Sequence, residues 1–371
     1  MTIFQKISEI DLVLVILLCV LSALGLSMLY SVSGGEFQPW ALKQGLRYVL
    51  ALCAMIVVAV IDIRAWYKAT WVVFFACLAL LLAVEMFGVV GMGAQRWIDL
   101  TFIKIQPSEL MKIAVILATA RFYNGLNIQQ VSTVWNIVRI AFLLLVPAYL
   151  VFRQPDLGTS ILIIAGGIGV GFVAGISWRW FIAGGASFVI IMPLIWSVVL
   201  RPYQKKRVLT FLNPEADPLG NGYHIIQSKI AIGSGGMTGR GFMQGTQSNL
   251  DFLPEKHTDF IFTVIAEELG FVGAVSVLML VLIILFKTMI IAMNSASKFG
   301  KFIAMGMGIT FFLYVFINTG MVMGLLPVVG VPFPLLSYGG TVMITIMVAF
   351  GFVQNVHIHR HIEYAELGGD K

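Results

Sequence analysis

The sequence predicts an all-α polytopic membrane protein of about ten transmembrane helices with one large outer loop. Three observations carry that prediction. Of 371 residues, 59% are hydrophobic and 11% charged, against about 25% charged in a soluble domain. The mean hydropathy is +0.94. Apolar runs recur along the whole chain, most close to the roughly 20 residues that cross a bilayer. The whole of residues 1–371 reads as one integral membrane domain, without an internal repeat, a low-complexity tail or a soluble domain. Composition of this kind points away from nucleic acid as a partner, and no motif for an organic cofactor occurs. Cys19, Cys53 and Cys77 all fall inside apolar runs and read as packing residues, not as disulfide partners.

Taken in order, the runs lie at 12–31, 46–62, 69–90, 109–123, 136–152, 157–176, 178–200, 260–293, 302–326 and 335–356. The first shows no small-residue cleavage site and reads as a retained helix. The fourth is short and needs polar cavity walls around it; the eighth is too long for one straight crossing. An even number of crossings puts both termini on one side. Lys6, Arg64, Lys68, Arg121, Arg139, Arg179, Lys287, Lys298, Lys301, Arg360 and Lys371 fall on that side, eleven in all, against five in the short loops opposite, Lys43, Arg47, Arg96, Lys104 and Arg153. The termini are therefore expected in the cytoplasm. Residues 201–258 then form a basic outer loop. A long loop translocates whatever its charge, and a basic one also suits an anionic lipid phosphate.

Several stretches can carry chemistry. In "GAQRWIDL", Arg96 beside Trp97 suits either an interfacial anchor or a site that stacks a sugar and pairs a phosphate. "QPSELMKIA" starts a helix with Ser108 as its expected N-cap, and places Glu109 and Lys112 three apart on one face. That pair is either a structural ion pair or the charged wall of a cavity. "RQPDLGTS" sets Arg153 and Asp156 at the outer tips of two runs, where Asp156 either caps a helix or meets substrate. Gly233, Gly235, Gly236, Gly239 and Gly241 form either a flexible turn or a phosphate nest. In "GMVMGLLPVVGVPFPLLSYGG", Pro327, Pro332 and Pro334 exclude a regular helix, and the irregular backbone must be buried in protein or line a wet cavity beside Ser337 and Tyr338.

"LPEKHTDFIF" sets Asp259 at the lip of an apolar run, as a helix cap or a working acid. Thr258 is the better N-cap, which leaves Asp259 in the first helical turn, where the helix dipole would lower its pKa. Counting back along a straight helix from Lys287 puts the edge of the hydrocarbon near Glu267 and Glu268. Asp259 then stands about 12 Å farther out, at sugar height, ionised without a large desolvation cost.

Together, "GAQRWIDL", "IQPSELMKIA", "RQPDLGTS", "DPLGNGYHIIQSKIAIGSGG", "FLPEKHTDFIF", "AEELG" and "GVPFPLLSYGG", in this order and over nearly the whole chain, resemble the SEDS family of membrane peptidoglycan polymerases (shape, elongation, division and sporulation). The wording of "GYHIIQSK" and "GTQSNLDFLPEKHTDFIF" is similar to the elongation branch. The resemblance implies a glycosyltransferase that joins lipid II, a disaccharide-pentapeptide on undecaprenyl pyrophosphate, into β-1,4 glycan at the outer face of the cytoplasmic membrane. It implies an outer-loop acid, which falls on Asp259. As partners it implies a lipid-linked nascent glycan, a class B penicillin-binding protein acting as transpeptidase, and other elongation proteins.

The chemistry is consistent with that implication. A sugar hydroxyl is a poor nucleophile, and a carboxylate that takes its proton is worth about 10²–10⁴ in rate. The diphosphate leaves without an acid if cations meet its charge. The expectations are Asp259 as general base or metal ligand, and Glu109, Lys112, Arg96, Trp97, Lys229 and Asp156 as substrate contacts. The cations are the basic side chains or a divalent ion, Mg²⁺ or Mn²⁺. The competing classes are a lipid II flippase and a non-catalytic scaffold; a flippase calls for inverted repeats and a midplane site, whereas the polar residues here crowd the outer face.

Overall fold

The computed structural model describes residues 2–38, 40–91, 94–99, 104–217, 220–249, 252–253 and 255–362; Pro254 in the acid motif and Lys371 in the charge count lie outside them. Helix α1 (Ile3–Ser8) leads into α2 (Leu12–Val32), α3 (Ala41–Val60) and α4 (Ile63–Phe87). A small antiparallel sheet follows, β1 (Val89–Gly91), β2 (Ala94–Asp99) and β3 (Lys104–Ile105) in that order. Then come α5 (Pro107–Asn124), α6 (Ile128–Val131), α7 (Val134–Arg153), α8 (Leu157–Ala174) and α9 (Trp178–Leu194), the last continued by a π-helical turn at Ile195–Val199. The long segment that follows holds α10 (Pro202–Leu212), α11 (Asn221–Gly235) and α12 (Thr246–Asn249). The chain closes with α13 (Ile261–Glu268), α14 (Gly270–Met293), α15 (Lys298–Val322) and α16 (Gly340–Ile358).

Among the described residues, nine helices are long and apolar enough to cross a membrane: α2, α3, α4, α7, α8, α9 with its extension, α14, α15 and α16. The tenth expected crossing is α5, which has their length but carries Glu109, Lys112 and Arg121. In place of the polar cavity walls expected around it, α5 is packed mostly against apolar side chains. Fourteen of its eighteen residues are buried, and its apolar side chains join both hydrophobic cores. Ile113, Ile116 and Leu117 pack with α2, α3 and α13 to α16, and Met111, Ala114 and Val115 with α4, α7 and α8. Ser108 does not cap it: Pro107 takes the first helical position, Gln106 the cap position without a side-chain bond, and the Ser108 hydroxyl has no partner among the described residues. By contrast α9 buries none of its side chains and is tied at its start, where Ser177 N donates to Ser132 Oγ at 2.8 Å and Trp180 Nε1 to Ser132 O at 3.0 Å.

Both described ends of the chain meet at one end of the bundle. Lys6 Nζ donates to Val60 O at 3.0 Å, Lys287 pairs with Asp11 at 2.8 Å, and Arg360 pairs with Glu9 at 2.9 Å. The Asn355 amide caps the carbonyls of Val58, Ala59 and Ile61 at the end of α3.

At the opposite end the eighth run, too long for one straight crossing, is broken into α13 and α14. Gly270 has φ +69°, and a Cβ there would stand 2.2 Å from Gly239 N, itself on a residue with φ +82°. Only residues without a side chain allow two backbones to come this close. Four bonds strap the approach: Arg240 N to Glu267 O, Gly241 N to Glu268 O, Phe271 N to Gly236 O and Val272 N to Met237 O, at 2.9–3.1 Å. The glycine-rich stretch is therefore neither a flexible turn nor a phosphate nest; it is half helix α11 and half a packed clasp on the joint between α13 and α14. Buried Glu267 accepts from Gln247 N at 2.7 Å, and buried Glu268 from Ser31 Oγ at 2.6 Å and Met243 N at 3.1 Å. A height for Asp259 counted along one helix axis does not apply across this break.

Candidate active site

Asp259 lies in a turn, residues 255–260, ahead of α13. The helix starts at Ile261, two residues later than the motif suggests, with Phe260 at the cap position. Thr258 does not cap it: its hydroxyl donates to Glu255 Oε2 at 3.0 Å and lies 3.2 Å from Glu255 O. Three neighbours hold the turn. Tyr338 N donates to His257 O at 2.8 Å. The His257 ring stacks on Trp40 with centroids 4.0 Å apart, and Trp40 meets Tyr338 edge-on at 4.8 Å. Asn318 Nδ2 donates to Asp259 O at 2.8 Å and to Val331 O at 2.7 Å.

The Asp259 carboxylate itself receives no hydrogen bond among the described residues, and Gly330 is beside it: a Cβ there would stand 3.6 Å from Oδ2. Asp259 keeps part of its surface open, yet so much protein surrounds it that desolvation dominates. Burial and the nearby Glu255 push its carboxyl up to about 6, against a smaller opposing pull from Arg207. The expectation of a carboxylate ionised without a large desolvation cost is thus corrected: it stands ahead of the helix and not in its first turn, and burial favours its protonated form. Burial likewise holds His257 and His224 below the ordinary imidazole value.

From Val331 to Ser337 the proline-containing loop is largely packed in protein, while Leu325 and Gly330 before it are exposed. Val331, Phe333, Leu335, Leu336 and Ser337 are all buried. Ser337 Oγ accepts from Phe333 N at 2.8 Å, and Ser337 O from Gln44 Nε2 at 2.9 Å. Ser337 is thus a packing residue, while Tyr338 faces Trp40 and lies under Arg47 at 4.8 Å.

Deeper in the bundle, Glu109 and Lys112 pair at 2.6 Å, each 3% exposed. The Tyr314 hydroxyl closes the group, donating to Glu109 Oε2 at 2.9 Å and meeting Lys112 Nζ. The pair, expected as a structural ion pair or as the charged wall of a cavity, is part of a sealed triad. Asp156 caps α8 through Thr159 N at 3.1 Å and accepts from Gln106 Nε2 at 3.0 Å, so both its oxygens are engaged inside the protein. Arg96 on β2 donates to the carbonyls of Gln154, at 3.0 Å, and Pro155, so it clips the turn between α7 and α8. Trp97, paired with Val89 across the sheet, is half-buried. Lys229 is exposed on α11 beside Gly324, one residue after Ser228, whose hydroxyl meets Thr263 at 2.8 Å. Asp259, Lys229 and Arg207 therefore share one end, and the Glu109 triad reaches it through α15.

The chain matches the family described as FTSW_RODA_SPOVE, cell cycle protein, over residues 11–362. It belongs to the FtsW/RodA/SpoVE family. Among its relatives is the peptidoglycan glycosyltransferase MrdB of Escherichia coli K12, 44% identical over 97% of this chain and 96% of that protein. Another is stage V sporulation protein E of Bacillus subtilis, 35% identical over 93% and 96%. A solved chain from work on the structural coordination of polymerization and crosslinking by a peptidoglycan synthase complex superposes with a TM-score of 0.83. It is 32% identical, with 95% of this chain and 98% of that one covered. The Thermus thermophilus rod shape determining protein RodA superposes at 0.72, 26% identical over 95% and 98%. Within this FtsW/RodA/SpoVE chain the motif reading missed Tyr314, Asn318, Trp40 and Gln44. A hydroxyl and an amide four apart inside the apolar run of α15 were the available signal, since polar groups in a membrane helix carry a role by default.

Proposed function

We propose that the chain is a peptidoglycan glycosyltransferase of the elongation machinery, polymerising lipid II into β-1,4 glycan at the outer face of the cytoplasmic membrane, with both termini in the cytoplasm. The observation that supports the mechanism best is Asp259: a partly open carboxylate, free of hydrogen bonds among the described residues and pushed up to about 6. A base with a pKa near the working pH combines a useful ionised fraction with a strong pull on a hydroxyl proton. Asp259 takes the proton from the acceptor 4-hydroxyl as the oxygen attacks the anomeric carbon from the face opposite the diphosphate, giving inversion. Lys229 and Arg207 meet the leaving diphosphate at the mouth, and Lys112 does so if Tyr314 and Glu109 release it. Trp97 offers a face for sugar stacking, while Arg96 and Asp156 hold the loop that carries it.

The partner is a class B penicillin-binding protein, a reading supported by the likeness to a chain of a synthase complex that joins polymerization to crosslinking. Among the described residues no group of three or more His, Cys, Asp or Glu side chains stands together, so no all-protein cage is present. Mg²⁺ commonly binds through one or two carboxylates plus substrate phosphates, which Asp259 and Glu255 fit. Such an ion would neutralise charge on the leaving diphosphate.

The test is polymerisation of labelled lipid II by the purified protein with its transpeptidase, products being resolved on a gel. Glycan ladders are expected. No glycan, together with movement of lipid II across liposomes, would establish the transporter instead.

Two further outcomes are expected. With Asp259 as base, only its ionised form works, so the initial rate falls about tenfold per pH unit below about 6 and levels off above it. A rate independent of pH between about 5 and 8 would remove the role. Gly330→Ala introduces a side chain at φ +75°, beside Asp259 Oδ2. Both it and Gly34→Ala, at φ +71° in open space, should lose about 1–2 kcal/mol in thermal unfolding. Only Gly330→Ala should slow polymerisation; equal rates would make the approach to Asp259 incidental.

A further inference from the structure

Asn318 is 0% exposed near the end of α15, among buried Val315, Met321 and Val322. An amide is costly to bury without partners, and this one uses both donors on carbonyls from distant parts of the chain, Asp259 at 2.8 Å and Val331 at 2.7 Å. Its orientation is fixed by that network, because the flipped amide would set its oxygen against two carbonyl oxygens. Val331 follows Gly330, the backbone that faces Asp259 Oδ2. One side chain thus ties down the acid and the wall opposite it.

We propose that Asn318 is a positioning residue for Asp259, an inference that rests on the reading of Asp259 as the base. The carboxylate has no hydrogen bond of its own among the described residues to aim it. Its direction is inherited from the main chain of residues 255–260, and Asn318 bonds that main chain at the acid itself. The Trp40 stack and the Tyr338 amide act two residues earlier at His257, and within the turn Phe260 N donates to Glu255 O at 3.4 Å. Losing the Asn318 tie removes the side-chain bond to the acid's own carbonyl while the start of the turn stays anchored. Misplacing a reacting group by about 1 Å costs on the order of a hundredfold in rate.

The molecule contains its own control. Asn355 is also a buried amide, 1% exposed, with Nδ2 on main-chain carbonyls and an Oδ1 without a partner among the described residues, but it closes the far end of the bundle at Val58, Ala59 and Ile61. The two share chemistry and differ in place. The experiment compares Asn318→Ala with Asn355→Ala in the complex with the transpeptidase, measuring kcat and KM for labelled lipid II and the thermal midpoint of each. Both variants should lower the midpoint. Asn318→Ala should lower kcat about 10–100-fold with KM nearly unchanged, and Asn355→Ala should leave both constants near parental values. Equal kcat in the two variants overturns the proposal. If Asn318→Ala fails to fold, Asn318→Ser, whose hydroxyl can serve one carbonyl, carries the same comparison: reduced kcat at parental KM supports positioning, and parental kcat overturns it. Asp259→Ala in the same assay separates the two levels. Activity retained there overturns the base assignment itself, whereas activity lost there with Asn318→Ala unimpaired overturns positioning alone.

Discussion

Replacing Asp259 by asparagine is expected to cut glycan polymerisation by about 10²–10⁴ while leaving the fold in place. The substitution keeps shape and volume and removes only the ability to take a proton. No hydrogen bond to the carboxylate is lost among the described residues, and the main-chain tie to Asn318 is unaffected. Stability should move the other way. The folded pKa, about 6, lies above the ordinary 3.8, so folding favours the protonated acid. Any contribution it makes is fully present below the unfolded pKa and is lost as pH rises through the folded one. Asparagine escapes that loss, so its thermal midpoint relative to the parent should be higher at pH 7 than at pH 4. Gain of stability with loss of activity marks a strained working group. Unchanged polymerisation would remove Asp259 from the mechanism, and restoration of the variant by added Mg²⁺ or Mn²⁺ would make it a metal ligand and not a base.

The second large effect concerns the sealed triad. Lys112→Met leaves Glu109 without its cation at a site only 3% exposed, and breaking a buried pair from one side costs about 3–5 kcal/mol. Neutralising both sides, with Lys112→Met and Glu109→Gln together, removes the uncompensated charge, and the thermal midpoint in detergent should return close to the parent's. A pair present for packing alone would then regain activity as well. On the reading given above, Lys112 serves the diphosphate, so the double variant should be folded and still inactive. Recovered polymerisation would make the triad a structural element.

Much of this architecture is legible in the chain because a bilayer imposes one rule on every crossing. All ten apolar runs correspond to helices, most within a few residues, from Leu12–Val32 to Gly340–Ile358. What escaped depends on which distant atoms meet. Gly270 looks like any glycine in an apolar helix until Gly239 is found against it. The segment 201–258, read as loop for its polarity, folds into α10, α11 and α12 because α13 and α15 supply an apolar surface that composition cannot show. Asp259 was identifiable as an acid at the edge of an apolar run, but its raised pKa comes from protein packed around it and from Glu255. Glu109 and Lys112 were recognisable as a pair; their closure by Tyr314 arrives from a helix some 200 residues away.

Tyr314 and Asn318 stand four residues apart on α15, one touching the buried pair and the other the acid's main chain. That spacing is about 6 Å along the axis, with the two groups on the same side of the helix. The separation between the two polar centres is therefore set by helical pitch, a quantity that no single side-chain replacement can alter. Val315, Phe316 and Ile317 can change identity and leave the gauge intact, whereas one residue added or removed among them would turn the two centres apart by about 100°. Along this stretch the gene must keep its reading in length more strictly than in letters.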